Sequence, residues 1–125
     1  MNQIKKTNGQ REKVVFDGSF IISTLPGGLV NIDNVDAKAR FADGVIPAGT
    51  LIVKASDGKY KVLNAALTAS NVKGAVGLTR YDVAIEDFTS APIVNDANVR
   101  TDALPALEKS GVAFIKAEVP TLKFI

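Results

Sequence analysis

The chain contains no histidine, no cysteine and no tryptophan. It therefore has no Ser-His or Cys-His pair for nucleophilic catalysis, and it lacks the side chains that most often bind transition metals. The absence of cysteine also excludes a disulfide framework and thiol chemistry. Aromatic residues make up only 6%, so a core has to come mainly from Val, Ile, Leu and Ala. These absences favour a binding or structural protein, and we expect no enzyme activity, no cofactor and no metal.

Long apolar runs are missing as well. A helix that crosses a bilayer needs about 20 consecutive apolar residues, and the longest runs here are a handful of residues. Residues 1–13 are polar and hold no apolar core of a signal peptide. The chain has 125 residues, of which 46% are hydrophobic, which is enough for one folded domain. We expect a single β-rich domain over residues 14–125, no membrane partner and synthesis in a reducing cytoplasm.

The net charge of +2 is unevenly distributed. Segment 1–13 carries a charge of +3, whereas residues 14–125 carry −1. The basic residues of the segment are Lys5, Lys6, Arg11 and Lys13. We interpret residues 1–13 as a flexible, basic N-terminal arm, which is either solvated or in contact with an acidic protein surface. Four basic residues would bind phosphates only weakly, so we expect no specific nucleic-acid partner.

The clearest local pattern is a β-hairpin over residues 46–63. Asp57-Gly58 suits a two-residue turn with φ > 0 at both positions. The cross-strand pairs are then Ala55 with Tyr60 and Val53 with Val62, on one apolar face. The same register places Lys54 opposite Lys61. That like-charge pair is unfavourable, so a slipped register or a longer loop stays open.

Further short strands are predicted by apolar runs between turn residues. They cover residues 14–22, 75–81, 91–94, 99–101 and 112–119. In the first of these, Asp17–Ser19 forms either a tight hairpin or a bulge. In the second, Val76 and Leu78 share one face of the strand, and Gly77 allows a bulge between them.

The fold class follows from the remaining segments. Residues 104–110 predict a short helix, which Asp102 can cap and Gly111 can end. Residues 23–44 hold many turn residues and predict an irregular connection. About seven short strands and one short helix, without alternating long helices, predict a mainly β fold. We expect a small β barrel or a sandwich-like module, because either hides strand edges.

Carboxylates are the remaining candidates for chemistry. Asp33 and Asp36 lie in one predicted loop, and Asp82, Glu86 and Asp87 lie in another. Either set offers the oxygen ligands that Ca²⁺ prefers. A second hypothesis is that two of these carboxylates form an acid–base pair. Solvated turn carboxylates are the simpler interpretation. An enzyme hypothesis would rest on the second loop. A Ser-Lys arrangement also stays open, although nothing in the sequence singles out one of the serines.

Four segments, taken in order, resemble the head decoration and head-fibre proteins of tailed bacteriophages. The segments are IPAGTLIVKASDGKYKVL (46–63), GAVGLTRYDV (74–83), APIVNDANVRTDALP (91–105) and SGVAFIKA (110–117). The similar layout is a polar arm, an A-G-T-hydrophobic strand, a Gly-hydrophobic-Gly strand before an Asp-containing turn, and a late short helix leading to a closing strand. The resemblance covers residues 41–119 and leaves out residues 14–40.

The resemblance implies a virion structural protein that decorates or stabilises the outer surface of an assembled capsid. It implies the major capsid protein as partner, a homotrimer, and synthesis in the cytoplasm of a host bacterium. On this interpretation the basic residues of segment 1–13 contact the capsid. The apolar tail docks either on its own chain or at a trimer interface; its residues are Leu122, Phe124 and Ile125.

An alternative within the same group is a head-fibre base or an adhesive module that binds carbohydrate. Such a module needs exposed aromatic rings, and the chain has only two tyrosines. Tyr60 and Tyr81 are the candidates for a stacking platform. The hairpin pattern instead favours packing of Tyr60 in the core.

Overall fold

Short strands dominate the computed structural model, which describes residues 15–22 and 29–125. In chain order the strands are β1 (Phe16–Ile22), β2 (Leu29–Ile32), β3 (Val45–Ile46), β4 (Leu51–Lys54), β5 (Tyr60–Val62), β6 (Ala75–Thr79), β7 (Val83–Ala84), β8 (Thr89–Val94), β9 (Asp96–Val99) and β10 (Leu122–Phe124). The helices are α1 (Asn34–Arg40), α2 (Ala106–Ser110) and α3 (Val112–Glu118), with a 3₁₀ turn at Thr101–Ala103. The predicted basic arm, residues 1–13, lies outside the described residues.

A closed β-barrel forms the centre of the fold. Its strands follow the order β2-β5-β4-β6-β8, and antiparallel pairing of β2 with β8 closes it. A three-stranded sheet of order β1-β9-β10 and a two-stranded sheet of β3 and β7 surround the barrel. The predicted fold class, mainly β with a small barrel, is confirmed.

Two apolar clusters hold these layers together. All five barrel strands contribute to the first, which we call the barrel core because their inward faces meet there. Its buried residues are Val30, Ile32, Ala37, Ile46, Ile52, Val62, Ala91 and Ile93. The second, the outer core, joins the outer face of β4 to β1, β9, β10 and α3. Strand β4 is buried on both faces, which explains its continuous apolar run Leu51-Ile52-Val53.

The β4–β5 hairpin has a three-residue loop, residues 56–58, between the hydrogen-bonded residues Ala55 and Lys59. Lys54 pairs with Tyr60, and the Ala55 N–H donates to the Lys59 carbonyl at 2.8 Å. Only Gly58 of the loop has a positive φ, +86°. The predicted two-residue turn is therefore wrong, and the longer loop is confirmed. This register separates the two lysines and places the Lys54 ammonium 5.8 Å from the Tyr60 ring, whose side chain packs against the barrel core.

Strand β6 contains the bulge that its glycines allowed. The register against β4 shifts between Gly77 and Ala75, which leaves Val76 as the extra residue. Val76 packs against the barrel core, whereas Leu78 lies in the outer core. The prediction that these two side chains share a face is therefore wrong. In β1 the pairing with β9 also shifts, between Asp17 and Ile22, which supports a bulge there rather than a hairpin.

Three other predicted segments differ in the structure. The strand predicted over residues 99–101 instead covers Asp96–Val99, and Thr101 begins the 3₁₀ turn. Residues 112–119 form helix α3, not a strand, because residues 112, 115 and 119 present a helical stripe to the outer core. The connection predicted for residues 23–44 contains β2 and α1 within its described part. Helix α1 begins where the Asp33 carboxylate accepts a hydrogen bond from the Val35 N–H at 3.0 Å. Strand β10 takes the closing position, beside β9.

The predicted helix over residues 104–110 is confirmed as α2, with a different start. Asp102 lies in the 3₁₀ turn that precedes it and does not cap it, since the N-cap residue is Pro105. Gly111 ends the helix, and its N–H donates to the carbonyls of Leu107 and Glu108. No helix among the described residues has both the length and the apolar composition to cross a membrane.

A buried ion pair joins α1 to α2. The Arg40 guanidinium donates to both carboxylate oxygens of Glu108, with Nη1 to Oε2 at 2.9 Å. The Glu108 side chain is fully buried, and the Arg40 side chain is 8% exposed. Glu108 also accepts a hydrogen bond from the Leu51 N–H at 2.9 Å, and Arg40 donates to the Leu63 carbonyl at 3.0 Å. One carboxylate thus ties both helices to the first residue of β4.

Candidate binding surface

Two large apolar side chains are mostly exposed to solvent. Phe88 is 88% exposed, in the loop that leads into β8, and Val35 is 74% exposed, in the first turn of α1. Most other large apolar side chains of the described chain are buried or half-buried. Phe88 and Val35 are therefore the first candidates for contact with a partner. We call this pair the apolar tip.

A hydrogen-bond network joins the chain segments that carry the two residues of the apolar tip. The Thr89 hydroxyl donates to the Asn34 side-chain oxygen at 2.7 Å, and the Asn34 amide donates to the Glu86 carbonyl. The Glu86 N–H in turn donates to the Thr89 hydroxyl at 3.1 Å. Val35 follows Asn34 in the chain and Phe88 precedes Thr89. The network therefore joins the two backbone segments that carry these exposed side chains.

An open groove of about 580 Å³ begins at Phe88. Its apolar lining comes mainly from the side chains of Tyr81, Val83, Phe88 and Pro92, and its polar lining from Asp82, Glu86 and Ser90. The groove follows the chain from the end of β6 through β7 into β8. We call it the 81–92 groove.

The turn between β3 and β4 supports the wall of this groove. The Pro47 carbonyl accepts hydrogen bonds from the hydroxyls of Thr50, at 2.6 Å, and Thr79, at 2.9 Å. Both threonines are fully buried. The Ala48 N–H donates to the Asp82 carboxylate at 2.8 Å. The turn at Pro47–Gly49 thus holds Asp82 in place at the groove.

The groove carries net negative charge. Glu86 and Asp87 are exposed, and Asp82 is half-buried. The nearest basic residue in sequence is Arg80, whose guanidinium lies 5.1 Å from the Tyr81 ring. In the described part of the chain, no group of three or more Asp and Glu residues is arranged to hold a metal ion. The Asp82 carboxylate is a structural acceptor for the Ala48 N–H, and Glu86 and Asp87 give this surface exposed negative charge.

The predicted tail residues divide between core and surface. Leu122 is fully buried in the outer core, and Phe124 is half-buried against it. The Ile125 N–H donates to the Val99 carbonyl at 2.8 Å, while its side chain is 60% exposed. Of the two alternatives, docking on the same chain describes Leu122 and Phe124. Leu122 is therefore unable to supply an oligomer interface, and Ile125 is the tail side chain that remains available.

The other predicted site residues lie in separate places. Lys5, Lys6, Arg11 and Lys13 are outside the described residues. Tyr81 lines the groove, whereas Tyr60 packs against the barrel core, so the two rings form no common platform. Asp33 caps α1 and Asp36 lies in its first turn.

The apolar tip was not predicted from the sequence. The only signal is a large apolar residue set in a polar stretch, as in Glu86-Asp87-Phe88-Thr89-Ser90. A strand or helix pattern assigns such a residue to the core by default, because most phenylalanines are buried.

Comparisons with protein-family models, curated proteins and solved structures give no significant match.

Proposed function

We propose that this chain is a structural protein of a tailed-bacteriophage virion, which binds the outer surface of the assembled capsid and stabilises it. Its partner is the major capsid protein, and it binds as a homotrimer. The proposal rests on the sequence resemblance over residues 41–119 and on the exposed apolar surface. It involves no bond-making chemistry.

The exposure of Phe88 is the observation that carries the proposal. This ring and the Val35 side chain are exposed to solvent, although burial of such a side chain stabilises a contact by about 1.5–3 kcal/mol. Aromatic residues of this kind dominate the binding energy of protein interfaces. The closed barrel leaves its own strands no open edge, so contact through exposed side chains is the mode that this surface favours.

The four segments of the resemblance cover the following elements of this fold, and the last of them differs in type from the expected layout. Residues 46–63 run from β3 to β5, residues 74–83 cover β6 and the first residue of β7, and residues 91–105 run from β8 through the 3₁₀ turn. Residues 110–117 lie mainly in α3 rather than in a closing strand, and β10 takes that role. The order of the layout is therefore kept while its last segment changes type.

Binding by many copies would stabilise a shell without catalysis. A protein that binds the assembled shell and not the free subunits shifts assembly by mass action. Several weak contacts per trimer then act together through multivalency. The basic residues Lys5, Lys6, Arg11 and Lys13 add an electrostatic attraction to acidic capsid side chains, which salt weakens.

Co-sedimentation with purified phage heads tests the proposal. The wild-type protein should pellet with the heads, and a variant that lacks residues 1–13 should remain in the supernatant while its body stays folded. Light scattering of the free protein gives its subunit number. Wild-type protein that stays in the supernatant, or virions from the native source that lack it, would contradict the capsid function.

A second candidate is the head-fibre base or adhesive module that binds carbohydrate, and the position of Tyr81 favours it. This ring lines an open groove beside carboxylates, and sugars bind to aromatic faces and polar groups together. Titration of the protein with oligosaccharides should then change the tyrosine fluorescence, and Tyr81→Ala should abolish the change. A response that survives in Tyr81→Ala would exclude the groove as the sugar site.

A further inference from the structure

We propose that the 81–92 groove is the docking site of the chain's own basic segment, residues 1–13, in the free protein. The proposal concerns an intramolecular contact and does not depend on the capsid function. Three observations support it: complementary charge, matching apolar surface, and the position of Val15, where the described part of the chain begins.

The charges of the two parts are complementary. Segment 1–13 carries +3. The groove and its rim carry the carboxylates of Asp82, Glu86 and Asp87, opposed in this stretch by Arg80 alone. Glu86 and Asp87 are exposed, so they are accessible to lysine and arginine side chains. Attraction between such surface charges is effective at low ionic strength and is screened within about 10 Å at 0.1 M salt.

The apolar surfaces also match. Val83, Phe88 and Pro92 give the groove an apolar wall, with the Phe88 ring almost fully exposed. The segment places Ile4 directly before Lys5-Lys6. An isoleucine against the Phe88 ring, followed by lysines near the carboxylates, satisfies both properties of the groove at once. Burial of the two side chains would remove from water the largest exposed apolar group that the structure describes.

The segment starts close enough to reach the groove. The Val15 side chain lies 3.2 Å from the position that a Cβ on Gly49 would take. Gly49 follows Ala48, whose N–H donates to the groove residue Asp82 at 2.8 Å. Val15 is therefore about 10 Å from the groove wall, since consecutive Cα atoms are about 3.8 Å apart. Thirteen residues in extended form span about 45 Å, so the segment reaches every part of the groove.

Docking in the same chain needs little intrinsic affinity. A short tether gives a local concentration in the millimolar range, so weak contacts suffice. The docked segment would contact the Phe88 ring in the free protein.

Paramagnetic relaxation measured by NMR tests this contact directly. The chain has no cysteine, so Thr7→Cys carries a nitroxide at a single position. At low salt the amide signals of residues 81–92 should lose intensity relative to the reduced label, and high salt should restore them. Intensity losses confined to other residues, or no losses beyond the neighbours of the label, would overturn the proposal.

A matched pair of charge reversals gives the control. In Glu86→Lys/Asp87→Lys the loss at residues 81–92 should disappear, because the attraction becomes repulsion. In Asp102→Lys/Glu118→Lys, which changes the net charge equally at exposed sites away from the groove, the loss should persist. Equal effects of both variants would overturn the proposal, because they would show a response to net charge alone. The unperturbed signals of the barrel core report that each variant is folded.

Mixing separates docking within a chain from docking between copies. Isotope-labelled protein without nitroxide is mixed with unlabelled Thr7→Cys protein that carries it. The groove signals of the isotope-labelled chain should keep their intensity. Loss of those signals would overturn the intramolecular contact and assign the groove to the segment of a second copy. None of these measurements uses phage heads, so failure here leaves the co-sedimentation result to decide the capsid function separately.

Discussion

Arg40 of α1 and Glu108 of α2, which are 68 positions apart in the sequence, form a buried, bidentate ion pair between the two helices. Breaking such a pair from one side leaves a charge in an apolar environment. The Arg40 guanidinium also lies 4.7 Å from the Phe41 ring, next to the barrel core. The pair therefore couples the helical layer to both cores.

Arg40→Met should destabilise the protein by about 3–5 kcal/mol, because it leaves the Glu108 carboxylate buried without its cation. The double variant Arg40→Met/Glu108→Gln should recover part of this loss, since glutamine still accepts from the Leu51 N–H without a charge. Urea unfolding of the single variants, the double variant and the wild type gives the coupling energy.

An exposed pair provides the control for this measurement. Lys109 and Asp102 lie 3.8 Å apart, with side chains 50% and 99% exposed. Lys109→Met should change the unfolding free energy by no more than about 0.5 kcal/mol, because water already solvates both groups. If Arg40→Met cost no more than Lys109→Met, the structural importance assigned to the buried pair would be wrong.

The sequence predicts the strands better than it predicts their partners. Local signals were sufficient for the presence of a hairpin within residues 46–63, for the β6 bulge and for the end of α2 at Gly111, but not for the hairpin register or for the start of α2. The burial of Glu108 has no local signal, because its partner Arg40 lies in a stretch predicted as irregular. Residues 112–119 satisfy both an alternating pattern and a helical stripe, and only the position of the outer core decides between them.

Gly77→Ala should destabilise the protein by about 2–4 kcal/mol, through strain and a backbone clash together. Gly77 has φ +152°, and an added Cβ would lie 2.3 Å from the Val94 carbonyl oxygen. Gly58 also has a positive φ, +86°, but a Cβ there meets no atom within 4 Å. Gly58→Ala should therefore cost only about 1 kcal/mol.

Thermal unfolding followed by circular dichroism compares the two glycine variants. The transition of Gly77→Ala should lie well below that of Gly58→Ala. Equal transition temperatures would mean that φ alone sets the cost and that β6 and β8 separate easily. That result would contradict the tight β6–β8 contact at the bulge.

The tail should contribute to stability through Leu122 and not through Ile125. Leu122→Ala removes a fully buried side chain from the outer core and should cost about 2–5 kcal/mol. Ile125→Ala, at a side chain 60% exposed, should change the unfolding free energy by less than about 0.5 kcal/mol. Urea denaturation measures both.

The molar mass in solution tests a role of Ile125 in oligomerisation, separately from its effect on stability. If this side chain lies in a trimer interface, Ile125→Ala should lower the molar mass found by light scattering at a fixed concentration, with the fold unchanged. An unchanged molar mass together with unchanged stability would remove Ile125, and with it the tail, from the oligomer interface.

The candidate surface was harder to predict than the fold, for a physical reason. Hydrophobic patterns report which residues are buried, and Phe88 departs from its pattern because it is not. Only the network of Asn34, Glu86 and Thr89 shows that the segments carrying Phe88 and Val35 are joined. That network joins α1 to the loop before β8, two segments more than 50 residues apart.

Phe88→Ser should leave the stability of the free protein within about 0.5 kcal/mol of wild type, because the ring is 88% exposed on the folded body and the proposed contact with segment 1–13 is weak. If the apolar tip contacts the capsid, the same change should weaken binding to phage heads by about 2 kcal/mol, or about 30-fold. Phe114→Ser is the control at the same residue type: it lies on α3 and is 38% exposed, and it should leave head binding within about threefold of wild type. Quantitative co-sedimentation at several protein concentrations measures all three affinities.

Equal binding by Phe88→Ser and wild type would show that the protein binds the shell through another part of its surface. The basic residues of segment 1–13 would then have to supply the affinity. In that case binding should fall steeply as the salt concentration rises, whereas a contact dominated by the Phe88 ring should be nearly independent of salt.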